Sequence, residues 1–269
     1  MTSWTPYYIV NAFTERTFGG NPAAVMVLDD WLNDDQLLAL AAQHNLSETA
    51  FLVERDPGVY GLRWFTPAAE VPLCGHATLA AAHVLRHELG VDVPRLQFET
   101  LHSGRLTASA QEVGIAIDLP AITFEPHATE SEIVAALGVA VLEAVRPVET
   151  PWQVVYRLAH EQDVRTLTPD IGRLARAVPH CVIVTAEGLQ VDFVSRMFAP
   201  QYGVDEDPVT GSAHCLLTPF WAASYGKSSL TAEQCSSRGG RLHCTLEDSR
   251  VILTGQAVTF ATGHITAPI

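Results

Sequence analysis

The pattern of apolar and polar positions in the first quarter of the chain predicts a helix followed by a β-hairpin. Asn33 can cap a helix with an acidic first turn, and the apolar positions recur at helical spacing from Leu37 to Ala41. Two β-rich runs, residues 49–53 and 62–65, then flank a Pro-Gly turn.

The same order of elements recurs in the second half of the chain. Thr168 can cap a helix that has Pro169 at its first position. Two further β-rich runs, residues 181–185 and 191–194, flank a Glu-Gly pair. Each hairpin leads into a Phe-X-Pro sequence, at residues 65–67 and 198–200. The repeated order predicts a duplication that gives two homologous halves.

Each copy then reaches a glycine phrase, LCGHATL at residues 73–79 and VTGSAHC at residues 209–215. Each phrase is predicted to precede a helix, from about residue 78 to 89 and from about residue 213 to 225, and each helix is ended by a glycine. Backbone N–H groups at a helix start form a ready anion site, and glycine allows close approach of a ligand. If the halves pack about a pseudo-twofold axis, both helix starts can face one cleft and hold a small carboxylate. Each glycine, taken alone, could instead simply end a loop.

The segments around the two copies add β-structure and set the domain limits. Residues 96–101 and 114–119 read as strands, and a capping box at residues 129–132 predicts a short helix that ends near Gly138. We place one domain at residues 1–119 and the second at 120–256. The tail, 257–269, is predicted to return to the first domain.

Composition excludes several classes of protein. A chain of 269 residues that is 48% hydrophobic and 17% charged can bury one large or two medium cores. The formal net charge of -14, with no Lys/Arg cluster, disfavours nucleic acid and anionic membranes as partners. The start has no signal-peptide pattern and no apolar run is long enough to span a bilayer, so we expect a cytoplasmic protein. Five cysteines at irregular spacing predict free thiols.

Metal and nucleotide sites are not predicted from the spacing of residues. Three Cys/His groupings, at residues 74–76, 214–215 and 243–244, lack the usual C-x-x-C or H-E-x-x-H spacing. The glycines at residues 239 and 240 have no dinucleotide or Walker pattern around them. Arg238, beside them, could meet an anionic substrate or be an ordinary solvated arginine.

Four spaced motifs resemble the PhzF family, the phenazine-biosynthesis-like isomerases, and more distantly diaminopimelate epimerase and proline racemase. The motifs are NAFT with GNPAAV at residues 11–25, NLSET at 45–49, FTP with LCGHATLA at 65–80, and DEDPVTGSA at 205–213. The resemblance runs from the N-terminus to at least Gly240. The resemblance implies an α+β fold of two pseudo-symmetric diaminopimelate epimerase-like domains. Each would be a barrel-like, mostly antiparallel sheet around a central helix, with the active site between the domains. A homodimer without a cofactor is also implied.

The resemblance also implies a role for individual residues. A glutamate moves a proton between carbons of a small carboxylic acid, and it falls on Glu48. A partly desolvated carboxylate in a closed site could have its pKa raised toward the working range of a general acid/base. Without the resemblance, Glu48 reads as a surface acid. The resemblance further implies that His76, Asp207 and Ser212 bind or orient the substrate, and that the backbone of Gly75, Gly211 and Ser212 receives its carboxylate.

The related racemases use two opposed thiols, and this chain has Cys74 at the first position but Thr210 at the second. A threonine hydroxyl is far too weakly acidic to replace a thiol, so a symmetrical two-thiol racemase is disfavoured. The role of Cys74 stays open between a reactive thiol and a polar pocket residue. Two alternatives to an isomerase remain, an epimerase or dehydratase with one acid/base group, and a metabolite-binding protein without turnover.

Overall fold

The computed structural model describes residues 4–149 and 152–266 of the chain. The strands are β1 (Thr5–Ala12), β2 (Asn21–Leu28), β3 (Glu48–Asp56), β4 (Val59–Phe65), β5 (Glu70–Val71), β6 (Arg95–Glu99), β7 (Arg105–Gln111), β8 (Gly114–Pro120), β9 (Phe124–His127), β10 (Glu143–Pro147), β11 (Gln153–Arg157), β12 (Cys181–Glu187), β13 (Phe193–Ala199), β14 (Val204–Asp207), β15 (Ser229–Gln234), β16 (Gly240–Glu247), β17 (Arg250–Gly255) and β18 (Ala257–Ile265). The helices are α1 (Asp34–His44), α2 (Gly75–His83), α3 (Ser131–Leu137), α4 (Glu161–Arg165), α5 (Ile171–Ala177) and α6 (Gly211–Tyr225). A π-helical turn, Val84–Glu88, continues α2, and a 3₁₀ turn, Pro200–Tyr202, precedes β14.

The chain forms two compact units. The first contains the described residues up to Leu119 together with those from Thr254 onward, and the second contains the described residues between Pro120 and Leu253. The sequence divides the halves at the same point, after residue 119. It places the return to the first domain at residue 257, whereas residues 254–256 already belong to the first unit. Gln256 is tied to the first unit, because its carbonyl accepts a hydrogen bond from the Thr14 N–H at 3.1 Å.

The first unit is a mixed sheet in which most neighbouring strands are antiparallel. β1 pairs antiparallel with both β18 and β2. β2 and β3 run parallel, β3 and β4 form the predicted hairpin, and β4 runs parallel to β6, which is followed by antiparallel β7 and β8. Parallel neighbours need a crossover, and α1 and α2 supply the two crossovers.

The second unit repeats this strand order. β10 pairs antiparallel with both β9 and β11, as β1 does with β18 and β2. β11 and β12 run parallel, β12 and β13 are antiparallel, and β13 runs parallel to β15, which pairs antiparallel with β16. The two parallel junctions therefore fall at equivalent places in both units. The structure thus has the predicted α+β class and the repeat inferred from the sequence.

A buried helix lies against the sheet of each unit. α2 contacts β1, β2, β3 and β18, and all of its residues from Gly75 to Ala82 are buried. α6 contacts β15 and β16 and is buried along most of its length. Helices that are apolar on all sides belong in an interior, and the alanine-rich face of α2 fits this requirement. These are the two central helices that the sequence predicts, although each begins two to three residues earlier than expected.

Helix ends were predicted with mixed success. Asn33 caps α1 and forms a capping box with Gln36, and Gly138 and Gly226 end α3 and α6 in the left-handed conformation. The prediction of a capping box at residues 129–132 is wrong. The cap of α3 is Glu130, whose side chain makes no capping hydrogen bond, and Glu132 forms an ion pair with Arg173. The predicted cap Thr168 is also wrong.

Asp170 caps α5 in place of Thr168. Its Oδ1 accepts a hydrogen bond from the Arg173 N–H at 2.8 Å, and its own N–H donates to the Ala136 carbonyl at 2.8 Å. The second bond ties the start of α5 to α3. Aspartate and threonine are both good caps, so this tertiary contact favours Asp170 over the predicted Thr168.

Pro219 lies inside α6 and has no N–H for the carbonyl of Cys215. That carbonyl accepts a hydrogen bond from the Ile122 N–H at 2.9 Å. The interruption of the helix ladder is therefore compensated by the segment that opens the second unit.

Two further findings bear on the expectations from composition. The five cysteines are free thiols, and only Cys235 is not fully buried. Within the described residues, no helix combines the length and the apolar character that crossing a bilayer requires.

Gly114, at the start of β8, has a φ of 134°, and a Cβ atom there would overlap the backbone carbonyl of Gly255. We expect Gly114→Ala to lower the free energy of unfolding by more than about 2 kcal/mol, because neither the conformation nor the backbone contact can relax cheaply. Urea unfolding followed by circular dichroism measures the change.

Gly104→Ala is the matched control. Gly104 also has a positive φ, of 66°, but nothing lies within 4 Å of the added Cβ, so its replacement should cost only about 1 kcal/mol. Equal losses in the two variants would show that the contact with Gly255 contributes nothing.

Candidate active site

Glu48 is positioned by a sharp turn of the chain between α1 and β3. Asn45 ends α1 in the left-handed conformation, with φ 51° and ψ 40°, and its N–H donates to the Ala41 carbonyl at 3.0 Å. Asparagine tolerates this conformation better than most residues. Three residues later Glu48 opens β3, and its side chain is 18% exposed. The carboxylate is thus mostly removed from water while still reachable.

The first glycine phrase forms the start of α2. Cys74 is the extended residue that precedes the helix, and its side chain makes no capping bond. Thr78 secures the first turn, since its Oγ1 donates to the Cys74 carbonyl at 2.6 Å. Gly75 and His76 are the first helical residues, so their N–H groups have no acceptor within the helix. The sequence predicts an anion site at this helix start, and the fold places His76 in its first turn.

His76 is held by a chain of polar contacts. Ser47 Oγ donates to Asn21 Oδ1 at 3.5 Å, which turns the Asn21 amide nitrogen toward His76 Nδ1, 3.2 Å away. Because the amide nitrogen is a donor, Nδ1 is an acceptor and the ring proton sits on Nε2. Nε2 in turn lies 3.2 Å from Oε2 of Glu48.

The His76 ring is neutral in this environment. Its side chain is buried, and burial lowers the pKa of His76 to about 3. Nε2 and the Glu48 oxygen are within hydrogen-bond distance, although the N–H is not aligned for a regular hydrogen bond. The pair therefore consists of a carboxylate and a neutral donor.

Asn21 and Ser47 are residues that the sequence reasoning quoted within motifs but did not assign to the site. Asn21 is fully buried, and a buried asparagine must find hydrogen-bond partners. The Gly-Asn-Pro sequence at the start of β2 was the available signal. Only the fold shows that this strand brings Asn21 to His76.

The second glycine phrase forms the start of α6 in the same manner. Thr210 is the extended residue before the helix, and its Oγ1 donates to Oδ2 of Asp207. Gly211 and half-buried Ser212 are the first helical residues. Three of the predicted residues of the second half, Asp207, Gly211 and Ser212, thus lie within one short segment.

Gln234, at the end of β15, holds this segment in place, and sequence reasoning missed it. Its Oε1 accepts from the Thr210 N–H at 2.8 Å, and its Nε2 donates to the Asp207 carbonyl at 2.7 Å and to Thr210 Oγ1 at 3.1 Å. Gln234 is fully buried, and these bonds satisfy its amide. The helix start of the second unit is therefore rigidly braced.

The repeat places Cys181 where the first unit has Glu48. Each opens the strand that pairs with the second strand of its hairpin, with Thr49 opposite Phe65 and Val182 opposite Phe198. Burial and the charge of Asp207 raise the pKa of Cys181 to about 12. The second unit thus has a protonated thiol where the first unit has a carboxylate.

Three potential metal ligands meet in the first unit. Ligand atoms of Glu48, Cys74 and His76 lie within 4.8 Å of one another, the one such group of three found among the described residues. Linear spacing predicts no metal site because Glu48 is remote from Cys74 in the chain. The fold, not the spacing, creates the group.

The pKa of His76 gives a pH prediction. Its folded-state pKa of about 3 is below the ordinary 6.5, so the unfolded chain takes up the proton first as pH falls. The resulting contribution to stability is fully present above pH 6.5 and is lost between pH 6.5 and about 3. Nitrogen NMR of histidine-labelled protein should show His76 as the neutral Nε2–H tautomer at pH 5.

His76→Gln assigns the resonance, and free imidazole in the sample serves as the internal pH reference. Protonation of His76 with a midpoint near 6.5 would contradict the neutral, buried ring.

Comparison with known proteins identifies the family of this chain. The family model described as phenazine biosynthesis-like protein, PhzC-PhzF, matches residues 10–263. A Pseudomonas aeruginosa protein named as an uncharacterized isomerase is 48% identical over 96% of this chain and 97% of its own.

Solved structures agree with this match. The crystal structure of a PhzF family protein from Enterococcus faecalis is 43% identical, has a TM-score of 0.91, and covers 98% of this chain and 99% of its own. A hydroxyproline epimerase from Agrobacterium vitis has a TM-score of 0.60 at 11% identity, over 98% of this chain and 94% of its own, and so shares the fold alone. With the family model matched along nearly the whole chain, the protein belongs to the phenazine biosynthesis-like (PhzF) family.

Proposed function

We propose that this chain is a cofactor-independent isomerase that moves a proton between two carbons of a small carboxylic acid, with Glu48 as both base and acid. The carrying observation is the pairing of Glu48 with His76, whose Nε2 lies 3.2 Å from the carboxylate. Membership of the PhzF family and a relative named as an isomerase support an isomerase or epimerase type of reaction.

The reaction needs only the movement of one proton and one electron pair. Ionised Glu48 removes a proton from a carbon that the substrate carboxylate activates, and the C–H electron pair shifts toward that carboxylate. Protonated Glu48 then returns the proton to a second carbon as the electron pair moves back. Atoms, electrons and charge balance without an oxidant or a co-reactant.

The neighbours of Glu48 suit this role. Neutral His76 can donate its Nε2 proton to the carboxylate without bringing a charge into the site, and Asn21 keeps that proton on Nε2. In the intermediate, negative charge accumulates on the substrate carboxylate. The N–H groups of Gly75 and His76 at the start of α2 can stabilise it, because a helix start favours an anion.

Residues of the second unit form a second part of the proposal. Gly211 and Ser212 offer the same kind of helix start, and Ser212 adds a hydroxyl. We assign Ser212 and Asp207 to substrate binding in the same reaction, as the family resemblance implies. Binding of one substrate by both helix starts is part of this proposal.

A symmetrical two-thiol racemase fits the residues poorly. In the second unit, Thr210 occupies the position equivalent to Cys74, and its Oγ1 already donates a hydrogen bond to Asp207. Cys181 does not supply the second thiolate, since its pKa is raised to about 12. The acid/base capacity is concentrated in Glu48 of the first unit, which favours proton transfer by a single group.

Glu48→Gln should abolish proton exchange, because the amide cannot take up a proton at neutral pH. Deuterium incorporation in D2O, measured by mass spectrometry over a panel of small amino acids and cyclic unsaturated acids, tests this. A loss of at least about 100-fold is expected for removal of the acid/base group.

Glu54→Gln is the matched control, since Glu54 lies on the same strand but is exposed. The Glu54→Gln variant should catalyse deuterium exchange of the acid at the wild-type rate. Exchange that persists in Glu48→Gln refutes the role of Glu48. Acid binding without exchange in the wild-type protein would favour a metabolite-binding protein.

Ser212→Ala should raise the KM for the exchanged acid several-fold with little effect on kcat, because it removes a binding hydroxyl and leaves Glu48 intact. Steady-state kinetics in D2O separate the two parameters. Ser224→Ala is the control at the other end of α6, where the hydroxyl donates to the Phe220 carbonyl.

An unchanged KM in Ser212→Ala would remove the second helix start from the substrate site, and the role of Glu48 would stand.

The homodimer, the absence of a cofactor and the absence of nucleic-acid partners stay predictions from the sequence.

A further inference from the structure

The group formed by Glu48, Cys74 and His76 combines an oxygen, a nitrogen and a sulfur ligand at the start of α2. Cys74 is 6% exposed and His76 is 3% exposed, while Glu48 is the most accessible of the three. Sulfur and imidazole ligands prefer zinc and similar transition metals, and hard cations such as Mg²⁺ prefer oxygen alone.

The distance between Cys74 and His76 matches a shared metal. Sγ lies 3.5 Å from Nδ1. Two ligands on a tetrahedral zinc, with a Zn–S bond of about 2.3 Å and a Zn–N bond of about 2.0–2.1 Å, stand about 3.6 Å apart. The sulfur and nitrogen are therefore already at the separation that coordination requires.

The tautomer of His76 leaves Nδ1 without a proton, so this nitrogen can bind a metal. Nδ1 is the acceptor nitrogen of the neutral ring, so its lone pair is directed to the side of the ring where Cys74 and Asn21 lie. A metal there replaces the contact with the Asn21 amide. A carboxylate oxygen of Glu48 lies within 4.8 Å of the ligand atoms of the other two residues, so the proposed site includes all three side chains.

We propose that Glu48, Cys74 and His76 bind one zinc-class divalent cation, and that this cation and the proton transfer exclude each other. Three protein ligands leave one position of a tetrahedral site for water or for a substrate carboxylate. Coordination by Cys74 forms a metal–sulfur bond and releases the thiol proton to solvent. It also occupies Glu48, so a bound cation is an inhibitor and not a cofactor. This last part rests on the proposed function, whereas the binding site does not.

The test uses the full chain without a histidine tag, stripped of metal. Titration with Co²⁺ should give one equivalent bound per chain, with a near-ultraviolet sulfur-to-cobalt charge-transfer band. Competition for Zn²⁺ with a chromophoric chelator measures the affinity. Cys74→Ser and His76→Gln should each weaken binding by at least about tenfold, since even outer-shell changes of metal sites cost about 10–100-fold.

Cys235→Ser is the matched control, because Cys235 is the one free thiol that is not fully buried and it lies in the second unit. It should bind both metals as the wild type does. Circular dichroism and thermal melting verify that each variant is folded, and Cys74→Ala replaces Cys74→Ser if the serine variant is not.

Wild-type affinity in Cys74→Ser, or a cobalt complex without the sulfur band, would overturn the site. Zinc that binds with the expected residue dependence but leaves deuterium exchange unchanged would overturn the exclusion. Because binding is measured without substrate, failure to find any exchanged acid counts against the proposed function and leaves the metal result intact.

Discussion

The site depends on the enclosure of α2 by its own sheet. α2 contacts four strands of its unit and is buried along its first eight residues, so its first turn lies at a fixed place against the sheet. The chain must deliver Cys74 and Gly75 to that place in extended and then helical conformation. The same enclosure brings β2 and β3 against the helix, and with them Asn21 and Glu48. The chemistry of the first unit thus follows from packing that is otherwise ordinary core formation.

The two units show how one architecture can carry different chemistry. Their strand orders agree through two parallel junctions, and in both an extended residue precedes a buried helix that begins with glycine. The side chains that surround the helix start differ. The first unit has a carboxylate beside a neutral histidine, and the second has a protonated thiol, a threonine and an aspartate braced by a glutamine. The backbone arrangement is the same in the two units, and the polar groups around it differ.

Local patterns predict the parts of the structure that local energetics decide. The Asn33 cap of α1, the hairpin of β3 and β4, and the glycine ends of α3 and α6 could all be inferred from a few neighbouring residues. The pattern was less informative where a distant contact chose between similar options. Asp170 caps α5 rather than Thr168 because Ala136 holds its backbone, and Glu132 pairs with Arg173 instead of closing a capping box. The contacts of Asn21 with His76, and of Gln234 with Thr210, join residues so far apart that no spacing rule could reveal them.

The proline inside α6 has a consequence for how the second unit folds. The Cys215 carbonyl that Pro219 leaves without a helical donor accepts from the N–H of Ile122, near the start of that unit's sequence. This buried carbonyl lacks its partner until the opening segment has docked. This hydrogen bond joins residues far apart in sequence, so the helix that carries Ser212 has all of its buried carbonyls satisfied there only when the entry of the chain into the unit is in place.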